Sequence, residues 1–184
     1  MVILANIISL AGAVIMVMIG FIRERDRILK AQCVQWIIMG IANAMLGGVT
    51  GLISNLVSVV RNLWSLKREL TRPVILVFIA LQIALSLPFN NLGLLGWLPT
   101  IAAISFTLFL NARDPRVLKW AIIFGQVLWA VFDFSLMNYT AFAFDVFTII
   151  STLVGIWQLR NGSPGGASAV PAPGKSARSD QGIG

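Results

Sequence analysis

The chain has 184 residues, 58% of them hydrophobic and only 11% charged, with a mean hydropathy of +0.87 and a net charge of +7. Soluble domains carry about 25% charged residues, so this composition excludes a water-soluble fold and points to a bilayer as the solvent. With no His and a single Cys (Cys33), the sequence holds no Ser-His relay, no Cys/His metal cluster and no internal disulfide.

Charged and Gly/Pro-rich punctuation divides the rest into seven apolar stretches, which predict transmembrane helices at about 3–21, 30–47, 50–67, 73–89, 92–111, 117–137 and 140–159. Each is near the 17–25 residues a helix needs to cross the hydrocarbon core. The first, "MVILANIISLAGAVIMVMIGFIRERDR", places its charge after the apolar run, the reverse of a secretory signal peptide, and is expected to be a retained span. The second carries Gln32, Gln35, Trp36 and Asn43, and the third carries Asn55 and Arg61. For Arg61 the bland reading is a long side chain that snorkels to the nearer interface. The functional readings are an inner gate, or an ion pair with an acid or an anionic substrate. The fourth span has Pro88 at its end and the fifth has Pro99. The sixth holds Gln126, Trp129 and Asp133, and the seventh holds Asp145 in "AFAFDVFTII". Residues 161–184, rich in Gly, Ser, Ala and Pro, have nothing to bury and are expected to be a disordered cytoplasmic tail.

The loops alternate in character. Those near 22–29, 68–72 and 112–116 are basic, while "GGV", "FNNLG" and "MNYT" carry no charge. All 14 Lys and Arg then fall on one side, and the positive-inside rule sets the N-terminus outside and the C-terminus in the cytoplasm. This placement accounts for the basic charge through anionic lipid headgroups rather than nucleic acid.

An internal repeat emerges from the loops. "RDRILK" (25–30) returns as "RDPRVLK" (113–119), and at a spacing of 90 residues Asn43 aligns with Asp133, Thr50 with Thr140 and Asn55 with Asp145. Two three-span blocks, 1–67 and 92–160, are joined by a connector span within 68–91. Three is odd, so the connector lets both blocks share one orientation. The expected fold is therefore all-α, with two parallel three-helix repeats in a 3+1+3 arrangement, a plan that transporters use.

The 3+1+3 plan is similar to the SWEET sugar transporters and the wider PQ-loop group. More closely, "RDRILK", "ANAMLGGVTGLISNLVSVVRN" and "DPRVLKWAIIFGQVLWAVFDFSLMNYTAFAFDVFTII" resemble bacterial inner membrane proteins of the YgjV type, over about residues 1–160. That resemblance implies the inner membrane and brings no activity with it. The SWEET resemblance implies alternating access around a site between the two bundles. The chain departs from the pattern in having no Pro-Gln dipeptide, and of the helix prolines only Pro99 fits. Nicotinamide-riboside-type vitamin transporters share the general plan, with no specific signature here.

Helix direction gives depth. Asn43 lies ~6 Å and Asn55 ~7 Å below the outer surface at 1.5 Å per residue, with Asp133 and Asp145 at the matching depths. Four polar side chains from two repeats thus form one layer, which favours the bundle interior or a wet cavity over lipid. The alternative is interhelical glue, such as Asp145 with Asn138, Tyr139 or Thr140. Two carboxyls that approach could share a proton; an intramembrane aspartyl protease is disfavoured because its Gly-x-Gly-Asp type of signature is missing. Gly-x-x-x-Gly at 47–51 spans a turn and is not a dimerisation face, so a homo-oligomer stays open.

These features lead to one expectation: a small-solute transporter for a sugar- or vitamin-like molecule. Asn55 and Asp145 would hold polar groups of the substrate, Asn43 and Asp133 would support them, and Arg61, Gln126 and Trp129 would serve as gate or path. No catalytic residue, metal or cofactor is expected, and the partners are the bilayer and an unknown small polar solute. A non-transporting membrane receptor or assembly factor of the same fold is the alternative.

Overall fold

The computed structural model describes residues 1–19, 25–109 and 115–160. The predicted tail and the basic segments at 20–24 and 110–114 lie outside the described residues. Seven helices account for nearly all of the rest: α1 (Val2–Ile19), α2 (Arg25–Met45), α3 (Val49–Lys67), α4 (Arg72–Phe89), α5 (Trp97–Phe109), α6 (Pro115–Ser135) and α7 (Tyr139–Arg160). Arg72–Phe89 and Tyr139–Trp157 are long and apolar enough to cross a bilayer by length and composition, and Val2–Met16 and Trp97–Phe109 are shorter apolar runs.

The bounds follow local chemistry. Thr71 precedes α4 in an extended conformation, with Pro73 in the first turn, where a missing N–H costs nothing. Helix α5 begins at Trp97 rather than near 92 as the apolar pattern predicts. Residues 90–96 are instead held in a turn, in which Asn90 Oδ1 accepts from the Leu92 N–H, Asn90 Nδ2 donates to the Gly93 carbonyl, and Gly93 takes φ +58.

The α2–α3 and α6–α7 turns match bond for bond at a spacing of 90. Gly48 N–H donates to the Asn43 carbonyl (2.8 Å) and Asn138 N–H to the Asp133 carbonyl (2.9 Å). Gly47 and Met137, one residue before, both have positive φ, +82 and +59. Each of their carbonyls accepts from a distant asparagine: Asn91 Nδ2 reaches Gly47 at 2.8 Å, and Asn6 Nδ2 reaches Met137 at 3.0 Å. These uncharged turns gather at one end of the bundle. Lys67, Arg68 and Arg72 mark the opposite, basic end.

Helix packing closes a ring. Helix α1 packs on α2, α2 on α3, α3 on α5, α5 on α6, α6 on α7, and α7 back on α1. Helix α4 stands outside the ring and touches only α3 and α5 among the helices. It is fixed there by Val57, Leu70, Ile75 and Phe78, and by Gln82 Nε2 donating to Ser54 Oγ (2.8 Å) and Ser86 Oγ (3.2 Å). Thr100 Oγ1 of α5 donates in turn to Ser86 Oγ at 2.7 Å.

Burial is inverted relative to a water-soluble domain. The fully buried side chains are mostly small or polar: Ser9, Asn43, Thr50, Ser54, Arg61, Gln82, Ser86, Thr100, Asp133 and Asn138. Large apolar residues such as Leu10, Val14, Leu56, Val60, Phe124, Val131, Phe147 and Ile150 face outward. In water that surface would drive aggregation. In lipid it is the solvated face, and small residues inside let the helices approach closely.

Candidate functional site

The six ring helices surround a cavity of about 410 Å³, lined by polar side chains from α2, α3, α6 and α7, by Ala13 and Met16 of α1 and by Ala102, Ala103 and Phe106 of α5, with no α4 residue among the lining. Helix α3 shows how the sequence builds its wall. Gly51, Ser54, Asn55, Ser58, Arg61, Asn62 and Ser65 recur three or four residues apart and are buried, while Leu56, Val60 and Leu63 on the other face are exposed. That spacing is one face of a helix.

All seven residues singled out in the sequence line this one cavity: Asn43, Asn55, Arg61, Gln126, Trp129, Asp133 and Asp145. Asp133 and Asp145 meet carboxyl to carboxyl. Asp133 Oδ1 also accepts from Asn138 Nδ2 at 3.2 Å. The glue expected for Asp145 is arranged otherwise, since Asn138 turns to Asp133 and the Thr140 N–H goes to Asn6 Oδ1 (2.9 Å). Both side-chain atoms of Asn43 and the Nδ2 of Asn55 are buried with no hydrogen-bond partner among the described residues. Asp145 Oδ2 and Gln126 Oε1 are in the same condition. Buried polar groups are ordinarily satisfied, so five unpartnered atoms around one space are chemistry that a bound solute or water would complete.

Arg61 does not snorkel. It is 2% exposed and turned inward, with its guanidinium 5.0 Å from the Phe106 ring centroid and 5.5 Å from that of Trp36. Its Nη1 donates to Thr107 Oγ1 at 2.7 Å, and the Thr107 hydroxyl donates onward to the Ala103 carbonyl. Six residues separate Arg61 from Asn55 on α3, which places the cation ~9 Å along the cavity from the amide-and-acid layer. Gln32, also on the cavity wall, accepts from Asn62 Nδ2 at 2.9 Å.

The cavity is shut at the neutral-turn end. Phe132 is fully buried there and stands edge-on to Trp129 at 5.7 Å. Its ring lies so close to α3 that a Cβ on Gly51 would come within 2.8 Å of Phe132 Cε1, and one on Gly48 within 2.9 Å of Cζ. Gly48 and Gly51 of "GGVTG" therefore serve this contact, whereas a Cβ on Gly47 would meet nothing within 4 Å. Toward the basic end the lining residues Gln32, Gln35, Trp36, Ile122, Gln126 and Thr152 are partly exposed.

Sequence reasoning missed Phe106 and Thr107, and it offered Asn138 as a partner of Asp145 rather than of Asp133. Asn138 also stands before a helix, where Asn is favoured; its Oδ1 accepts from the Ala141 N–H at 3.4 Å. For Phe106 and Thr107 only the position of Arg61 on its helix face gives a clue. Among the described residues no cluster of three His, Cys, Asp or Glu could hold a metal ion.

A family model described as "Bacterial inner membrane protein" (Imp-YgjV) matches residues 3–163, and the chain belongs to that family. No curated protein and no solved structure matches it.

Proposed function

We propose that this inner membrane protein carries a small polar solute across the membrane by alternating access between two three-helix bundles, α1–α3 and α5–α7, with α4 as connector. The observation that carries the reading is the closed ring of six helices around a 410 Å³ cavity bearing buried polar atoms without partners. A cavity of that size suits a sugar- or vitamin-sized molecule. The matched turns and the ring order, in which the α1–α7 contact has its counterpart in α5–α3, support the parallel repeat. That repeat is the basis for likening the plan to the SWEET and PQ-loop transporters. The one-sided distribution of Lys and Arg supports an outside N-terminus and a cytoplasmic C-terminus. The protein is not an enzyme in this reading, since the sequence offers no His and the hydrogen bonds among the described residues pair no nucleophile with a base.

Asn55 and Asp145 hold polar groups of the solute, and Asn43 and Asp133 support them. Two carboxyls in contact resist double ionisation, so Asp133 and Asp145 retain one proton between them and offer the solute both a donor and an acceptor. Exchange of that proton during the cycle would couple transport to a proton gradient. Access alternates as the Phe132 contact with Gly48 and Gly51 separates at the outer end while the wall around Arg61, Gln126 and Trp129 closes at the inner end.

Uptake of labelled sugars, vitamins and amino acids into liposomes holding the purified protein tests this, with Asp145→Asn as control. Flux that depends on the protein and falls in the variant supports the proposal. Binding without flux in either direction supports the second reading, a receptor or assembly factor, which the closed neutral-turn end of the cavity favours.

A further inference from the structure

The charge arrangement inside the cavity narrows the class of solute. Among the described residues Arg61 is the one cation in the lining, and Asp133 and Asp145 are its acids. Asn55, at the level assigned to the acids, is ~9 Å of helix rise from Arg61, and among the described residues no ion pair joins the guanidinium to either acid. The guanidinium carries five N–H donors and no acceptor. Among the described residues its polar partner is a neutral hydroxyl, and its buried Nε has no partner. An arginine in a bilayer ordinarily reaches the interface or pairs with an acid, and this one does neither. Two aromatic rings, Trp36 from α2 and Phe106 from α5, enclose it and exclude water without supplying negative charge. The site is therefore built for an anion that arrives with the solute.

We infer that Arg61, framed by Trp36, Phe106 and Thr107, is the subsite for a carboxylate, and that the solute is a monoanionic organic acid whose far end bears hydroxyl or amino groups. The inference rests on the cavity being a solute site, as proposed above. A carboxylate matches the guanidinium edge and can take two parallel hydrogen bonds from it. The charge balance disfavours a dianion: with one proton on the acid pair the lining holds one positive and one negative charge, so a monoanion leaves one net negative charge in the cavity and a dianion would leave two. The layer of Asn43, Asn55 and the acid pair, ~9 Å away, then receives the polar groups at the other end of the molecule.

The test uses purified protein in nanodiscs and pairs of similar size in which one member carries a carboxylate and the other is neutral: gluconate against glucose, and benzoate against benzamide. Binding is read by thermal shift and by calorimetry on wild type, Arg61→Gln, Arg61→Lys and Asn55→Leu. The expected result is that each acid stabilises the wild type more than its neutral partner. The preference should fall about tenfold or more in Arg61→Gln, the worth of a charged hydrogen bond, and partly return in Arg61→Lys. Asn55→Leu should weaken gluconate while sparing benzoate, which has no group to reach that layer. Equal binding of acid and neutral partner, or no binding of either acid, overturns the anion subsite. Glucose binding that depends on Asn55 but not on Arg61 also overturns it while leaving the solute cavity standing. Arg61-dependent binding of acids without flux into liposomes upholds the subsite and removes the transport reading instead.

Discussion

Replacing Phe132 with alanine removes the plug at the neutral-turn end of the cavity. The ring is fully buried and abuts the backbone of α3 at Gly48 and Gly51. Neither glycine has a side chain that could swing into the vacated space. Trp129, edge-on at 5.7 Å, is held among the cavity walls. In packed cores Phe→Ala costs about 3–5 kcal/mol, rising with the volume left empty. Here the unfolded reference is helices in lipid rather than in water, so the transfer part shrinks and the packing part remains. The expected loss is thus about 3 kcal/mol, at the lower end of that range. Denaturation in nanodiscs measures it. Cysteine at position 43, in a background with Cys33→Ala, supplies a second readout, because removing the plug should expose it to a membrane-impermeant maleimide added on the neutral-turn side. A loss below about 1 kcal/mol, far under the value for a packed ring, with unchanged labelling, would refute the assignment of Phe132 as a seal.

Thr107→Val removes the hydroxyl that accepts from Arg61; with charged hydrogen bonds worth about 1.5–3 kcal/mol and interhelical bonds in bilayers often less, a loss of about 1–2 kcal/mol is expected on denaturation. Gly47→Val should cost roughly 1–2 kcal/mol because its φ of +82 disfavours any side chain. The converse change, Met137→Gly at φ +59, should be neutral or mildly stabilising in the same assay. Asp145→Asn keeps a polar contact with Asp133 but removes a proton site, so solute flux should lose its dependence on an imposed pH gradient while the fold survives.

Much of the fold is legible in the sequence because lipid forces it. A span must be helical, apolar and of a given length, and charges between spans mark their ends. Five of the helices begin within two residues of their expected starts, inside the usual uncertainty of such boundaries, while α2 begins five residues early and α5 five residues late. The exception in kind is α5, where Asn90 and Gly93 hold a turn that hydropathy does not register. The site was legible for a different reason. A polar side chain in an apolar span is rare enough to stand out, and Asn43, Asn55, Asp133 and Asp145 do line one cavity. For Arg61 the sequence left snorkelling beside a gate or ion-pair role, because its distance from the helix end was weighed and its helical face was not. The Ser54, Asn55, Ser58, Asn62 and Ser65 stripe shares that face and shows it to be the inner one. What sequence could not supply is which distant side chains meet: Phe132 on Gly51, Asn6 on the α6–α7 turn, Phe106 and Thr107 on Arg61.

Ser58 lies on α3 between Asn55 and Arg61, is 8% exposed and lines the cavity. In a Cys33→Ala background, Ser58→Cys can be challenged with an impermeant maleimide from either side, using right-side-out and inverted membrane vesicles. Alternating access predicts labelling from both sides, each slowed when the opposite side is held open by a bound solute. Labelling from one side only, or from neither, would contradict it.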